Sequence, residues 1–560
     1  MRCFAALMVA LVILSGPGAV NTQAQTPDWE VPSAGGLDYV INTLASAGEW
    51  IEVSNRNGNN DPYDPITMKS GIRVSVAAGQ SPKITGSGAA YAVTFPSDSD
   101  EDTILEGFAE ITAGSSGGIY LQGEGIVRNC LVRSTETGGS RTCIYAVGAN
   151  LIEDCEVEIA RGTGITLAGT YGTASGCSVS GTDSTNYCDG IWVSGNSLAE
   201  DSFASVPGGT GFYVTSGQAY RCTVDGARNG FIFSSTVASC IAANCWEYGF
   251  DGGVSYSATY CIAPGGDGFE SGSMGGGSVN EDPLFCDASN GAYTLRIDSY
   301  GNPENNGDGL IGAFPVACAY GELVRSTTVA QDAEILVMSD VLVPSSTSLT
   351  LEEGVVFEMD DYDEDNLGEH ATKVELFVDD GGSLTVSGRS SNPVEFVSSD
   401  ETAGDWYGIT IANEATAAID TALVQYSSHG IVDKSGETTS IRGCTFQDNE
   451  TYDIVVGYSG DPDNLNDATV SGNTIIVGSG TGIELQTAFI SGTLIEDNSI
   501  TGSSASYQGI EFGNYTSGSS PVVDSNTISG FSNGSGIYGG SDAVIIPNRK
   551  ARSETFSHVR

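Results

Sequence analysis

A four-residue phrase returns about every twenty residues along this chain: glycine, a large apolar residue, one free position, another apolar residue. It reads Gly118-Ile119-Tyr120-Leu121, Gly164-Ile165-Thr166-Leu167, Gly190-Ile191-Trp192-Val193, Gly211-Phe212-Tyr213-Val214 and Gly230-Phe231-Ile232-Phe233, with weaker copies at Gly249-Phe250 and Gly268-Phe269. From Gly190 the glycines step by 21, 19, 19 and 19 residues. A fixed period of this length marks a solenoid, because one coil cannot bury its own apolar face and must stack on the next. The phrase is too short for a helix and alternates apolar with variable positions, which is the pattern of a strand. Short strands joined by glycine-rich turns, about twenty residues to the coil, predict a parallel β-helix.

A second ladder runs in step with the first. It reads Cys130-Leu131-Val132, Cys155-Glu156-Val157, Cys177-Ser178-Val179 and Cys222-Thr223-Val224, with Ser202 at this place in the coil between and Cys240 and Cys261 following. Cys444-Thr445-Phe446 continues the series, and asparagine then takes it over at Asn473-Thr474-Ile475, Asn498-Ser499-Ile500 and Asn526-Thr527-Ile528. Thiols pack as small hydrophobes, and inward amides can hydrogen-bond along a stack.

These phrases resemble the right-handed parallel β-helix repeat family, the pectate-lyase-like superfamily in its broad sense, from about residue 37 to 546. The resemblance implies an all-β, right-handed solenoid. It leaves function open, because lyases, hydrolases, epimerases and adhesins share that fold.

The N-terminus reads as an export signal over 1–24. Arg2 precedes an apolar run from Phe4 to Leu14, then Gly16-Pro17-Gly18 and small residues including Thr22 and Ala24. That run is too short to span a membrane, and no later stretch is long enough. The expectation is an exported protein, extracellular or at the cell surface. A first β-helix is predicted over 25–280, capped by a short amphipathic helix at 37–47 whose Leu37, Val40, Ile41 and Leu44 share one face. Residues 281–320 break the period and resemble the closing module that follows β-helices in exported bacterial proteins. A second β-helix is predicted over 321–546, and 547–560 is a basic tail. Of the 13 cysteines, Cys3 leaves with the signal, the ladder cysteines are expected as buried free thiols, and Cys286 and Cys318, which flank the non-repeating segment, as a disulfide.

The formal net charge of −50 repels nucleic acid, anionic membranes and polyanionic sugars unless a divalent cation intervenes. Histidine is scarce: His370, His429 and His558 are all there are, too few for a Ser/His/Asp constellation or a histidine metal cluster. The paired-aspartate and Gly-His-Gly motifs of polygalacturonases are absent. Arg221 and Arg228, closely spaced in the first unit, read as surface residues and not as a lyase base. Tyr248-Gly249-Phe250-Asp251 is similar to a phrase of alginate epimerases, but Gly252-Gly253 stands where Pro-His should follow.

Two candidate sites remain. Asp360, Asp361, Asp363, Glu364, Asp365 and Glu369 form an acidic run, in which Asp361, Asp363, Asp365 and Glu369 could converge on Ca2+, a hard ion that takes several oxygens; a solvated acidic loop is the other reading. The second is an outward column. If the positions flanking it point inward, the free position of the phrase points out, giving Tyr120, Tyr145, Thr166, Trp192, Tyr213, Ile232, Asp251 and Glu270 up the first unit. Thr410, Val432, Val455, Glu484, Glu511 and Tyr538 are its equivalents in the second. Tyr120, Tyr145, Trp192 and Tyr213 would offer sugar rings a platform ending beside the carboxylates of Asp251 and Glu270; the alternative is that these rings stack on one another for stability. Two functions follow: a non-enzymatic surface protein contacting a polysaccharide or cell-surface glycan, or a polysaccharide lyase or glycoside hydrolase.

Overall fold

The structure, a computed structural model, describes residues 26–545 apart from 32–35, 57–60, 136–140, 183–186, 254, 266, 308, 364, 436, 458–466, 487–491, 504–506, 514–520, 533 and 539–543. Residues 1–24, where an export signal is expected, Glu364 and the basic tail therefore lie outside the described residues. The chain is an all-β, right-handed parallel solenoid of about nineteen coils. Nothing helical among the described residues is long and apolar enough to cross a membrane.

A regular coil has three short strands, each pairing in parallel with its counterpart one coil on. Ile126–Arg128, Leu131–Ser134 and Arg141–Ala146 make one such coil, and Leu151–Glu153 begins the next. The first strands build a sheet of ten, the second a sheet of eight and the third, which carries the glycine phrase, a sheet of nine. From Phe285 onward a new set begins, in which the first face is a sheet of nine while the second and third merge into one of eighteen strands. Two long apolar cores run inside, one from Val31 to Ala263 and one from Ile297 to Phe531. Phenylalanines stack along the first: Phe212, Phe231, Phe250 and Phe269 follow one another at 5.0, 4.9 and 4.9 Å with nearly parallel rings.

The Cys/Ser/Asn ladder marks the corner between the first and second strands, and the hydrogen bonds there explain why those residue types interchange. The backbone N–H of Cys177 donates to Ser202 Oγ, that of Cys222 to Cys240 Sγ, that of Cys240 to Cys261 Sγ and that of Cys261 to Ser278 Oγ. In the second unit the N–H groups of Cys444, Asn473 and Asn498 donate to the Oδ1 atoms of Asn473, Asn498 and Asn526 at 2.8, 3.0 and 3.0 Å. Each corner side chain thus satisfies a buried N–H of the preceding coil, which would otherwise be orphaned. The residue before each corner has positive φ, from Asn129, Asp154, Gly176 and Asp201 to Gly472, Asp497 and Ser525, which turns the chain sharply. The corner cysteines are buried, and burial pushes the thiols of Cys130 and Cys177 up to about 12.

The N-terminal cap differs from expectation. The helical turn is there, as Leu37–Tyr39 followed by the π-turn Val40–Leu44, and it buries Leu37, Val40 and Ile41. It is not the first element: Trp29–Val31 precedes it and pairs in parallel with Trp50–Val53. An extra strand satisfies the edge of the first sheet directly, where a helix could only cover it.

Between the two cores the chain folds back on the first unit. Tyr293 packs against Phe203 and Phe314, its hydroxyl donates to Asp225 Oδ2, and the Ala313 N–H donates to Thr223 Oγ1. Cys286 and Cys318 are joined in a disulfide with their Cα atoms 6.0 Å apart. Arg296, buried, forks onto Asp298 at 2.5 and 2.7 Å and donates to the carbonyls of Tyr320 and Glu322. Asp298 in turn accepts from the Val324 N–H, so one ion pair fixes the chain where the second core begins.

Candidate functional site: the outer surface of the third face

In the first unit the strands hold the outward column in register: Thr94 opposite Tyr120, then Tyr145, Thr166, Trp192, Tyr213, Ile232 and Asp251. Phe250 bridges to Phe269, which sets Glu270 beside Asp251. The rings are not equivalent. Tyr120 is stacked between Tyr91 at 4.9 Å and Tyr145 at 5.6 Å, interplanar 27° and 31°, so their faces are spent on each other. Trp192 meets Tyr213 edge-on at 5.1 Å and 61°, and its lower neighbour is the short, buried Thr166. Trp192 is 40 % exposed and offers a free ring face. At the end of the column Asp251 raises the pKa of the Glu270 carboxyl by contact and by charge. Arg221 and Arg228 are engaged as surface pairs, with Asp201 and Glu247.

The same column in the second unit is not a surface. Thr410, Val432, Val455 and Glu484 are buried, against the expectation of an outward strip, and only Tyr538 is well exposed. Here the chemistry shifts to the residue before each glycine. Tyr407 lies between the imidazoles of His370 and His429, 4.9 Å from each, and Tyr452 continues the stack at 5.3 Å. Burial, helped by His370 and Lys373, drives His429 down to about 4, so it is neutral at pH 7. Beneath the rings the glycine ladder is interrupted: Glu375 stands opposite Gly408 and Asp453 opposite Gly430. Both are buried, and desolvation lifts them to about 7 and about 8.

The acidic run does not assemble as the calcium reading expected. Asp363 is buried, and its carboxylate accepts from Ser339 Oγ and from the N–H groups of Asp340, Asp365 and Asn366. Glu369 pairs with Lys434, while Asp361 and Asp365 are exposed. Among the described residues no three acidic, histidine or cysteine side chains are grouped to hold a metal. Asp363 is spent on turn amides, the ordinary use of a short carboxylate in a loop.

Sequence reasoning missed the His370–Tyr407–His429–Tyr452 stack. The signal is in the sequence: His429 directly precedes Gly430 as Tyr407 precedes Gly408, one coil apart.

Residues 368–549 match the family model described as "NosD: Periplasmic copper-binding protein (NosD)", about a third of the chain. No curated protein matches it. A solved structure of a mutant PL6 family alginate lyase, AlyGC, aligns over 93 % of this chain and 99 % of its own at 10 % identity and a TM-score of 0.20, too low to carry an argument. The described residues of the matched segment do not fit a copper centre: its two histidines lie on opposite faces of Tyr407 and cannot share one ion, and its one cysteine, Cys444, is a buried thiol raised to about 12.

Proposed function

We propose that this is an exported, non-catalytic β-helix protein that contacts neutral glycans through the outer surface of its first unit, centred on Trp192 and Tyr213. Export is supported by the N-terminal segment, by the Cys286–Cys318 disulfide and by the partial match to a family described as periplasmic. The observation that carries the glycan reading is the exposed Trp192 ring over Thr166, in a column whose Tyr120 and Tyr145 rings are spent on each other. A neutral sugar ring stacks on an indole face without opposing the charge of −50. A second reading, a polysaccharide lyase or glycoside hydrolase, draws on the Asp251–Glu270 pair, because a carboxyl raised by its neighbour is the form a general acid takes. Purified protein passed over a panel of polysaccharides separates the two: retention without new reducing ends or unsaturated uronates supports contact alone, and release of either product overturns it.

A further inference from the structure

The segment that carries His370 over Tyr407 is held down by carboxylates with no access to water. Glu375 Oε2 accepts from the N–H groups of Glu369 and His370 at 2.7 and 3.2 Å. Asp340 Oδ2 accepts from the Gly368 N–H at 2.7 Å and its Oδ1 from the Glu375 N–H at 2.8 Å, so the two acids sit back to back. Both are fully buried. Glu375 Oε1 and the hydroxyl of the equally buried Thr410 each lack a hydrogen-bond partner of good geometry. A proton on Glu375 removes a carboxylate charge that burial leaves unsolvated and that opposes Asp340. We propose that residues 365–372 form a latch over the Tyr407–His429 surface, closed while Glu375 is protonated and released when that proton passes to solvent.

Burial and the charge of Asp340 set the direction at Glu375 against opposing hydrogen bonds. Burial raises it from 4.5 to about 7, Asp340 adds to the rise, and the Thr410 hydroxyl and the amides of Glu369 and His370 oppose it. Asp340, raised to about 6 by burial and by Asp363, titrates in the same sense. Lys434 is taken up by Glu369, and Lys373 by Ser428 and Glu450. His429, beyond Tyr407, acts in the opposite sense, since its lowered value makes acid the loosening condition. A raised carboxyl stabilises the closed state fully below its free value and loses that stabilisation as pH climbs to the raised one.

Hydrogen exchange on the full chain tests this, with peptides over 365–372 referred to the Asp379–Gly382 turn to cancel base catalysis of exchange. The ratio should rise up to about a hundredfold per pH unit between about pH 4.5 and 6, where both acids titrate, then up to about tenfold per unit, and level off near 7. In Glu375→Gln it should stop rising near pH 6, where only Asp340 still titrates. A ratio independent of pH in the wild type overturns the latch, as does a profile in Glu375→Gln identical to the wild type's; should that variant fail to fold, the wild-type ratio decides alone.

Discussion

Up the third face of the first unit the outward column runs Tyr120, Tyr145, Thr166, Trp192, Tyr213, and its largest ring reaches solvent. Up the same face of the second unit the same register runs Thr410, Val432, Val455, Glu484, and is buried. The strand pairing is alike in both, so register determines which residues line up and not whether the line meets water. The inner side differs too. Small residues, mostly glycine with Ala92 and Cys143 in two coils, head the coils of the first unit, whereas Glu375 and Asp453 interrupt that ladder in the second. One unit carries an exposed indole on its outer column; the other stores carboxyls that titrate near neutrality beneath a stack of rings.

The comparison breaks hardest in the cores. Phe231 lies in a near-parallel stack between Phe212 and Phe250, so Phe231→Ala should cost about 3–5 kcal/mol in denaturant unfolding. The second unit relies more on corner amides. Asn498 Oδ1 accepts from the backbone and side chain of Asn473, and its Nδ2 donates to Val470 O and Asn526 Oδ1. Asn498→Ala should therefore cost about 3 kcal/mol, because several buried groups lose their partners. Cys222→Ser, which keeps an acceptor-capable corner, should cost less. Cys130, Cys155, Cys177 and Cys222 should stay unlabelled by thiol reagents until the protein unfolds; fast native labelling would refute the corner assignment.

A pH series sharpens the contrast. Asp453 rises from 3.8 to about 8 through burial, with Asn449 opposing. Its contribution is complete below 3.8 and is lost as pH climbs toward 8. Between pH 5 and 8 the second unit should weaken by about 2 kcal/mol, after discounting for relaxation around the charge. Asp453→Asn should reduce that slope to the part left by Glu375 and Asp340, while exchange protection in the first-unit coils, corrected for base catalysis, should stay level. At the small end, Trp192→Ala should shift stability by no more than about 0.5 kcal/mol, since the ring is a surface group.

Much of this was legible in the sequence. The period, the solenoid and the corner ladder follow from a few residue types, because each coil must repeat the same turn and the same inward pair. What escaped was set by neighbours outside the repeat. Nothing in Trp29–Val31 advertises an added strand, since three residues carry no periodicity. The acidic run suggested calcium by the alternation of Asp361, Asp363 and Asp365, and only the fold shows Asp363 turned inward onto amides and Glu369 committed to Lys434. Equally, Tyr120 and Trp192 occupy the same phrase position, yet one ring is sandwiched and the other free because Thr166 lies between them.

That last difference carries the functional account and can be measured directly. Retention on each glycan that holds the wild type should be compared for Trp192→Ala and Tyr120→Ala, with both variants first shown to be folded. Trp192→Ala should lose retention about tenfold or more, the equivalent of one ring contact of about 1.4 kcal/mol, and Tyr120→Ala should stay close to wild type. Equal retention by the wild type and both variants, or a loss confined to Tyr120→Ala, would contradict the account.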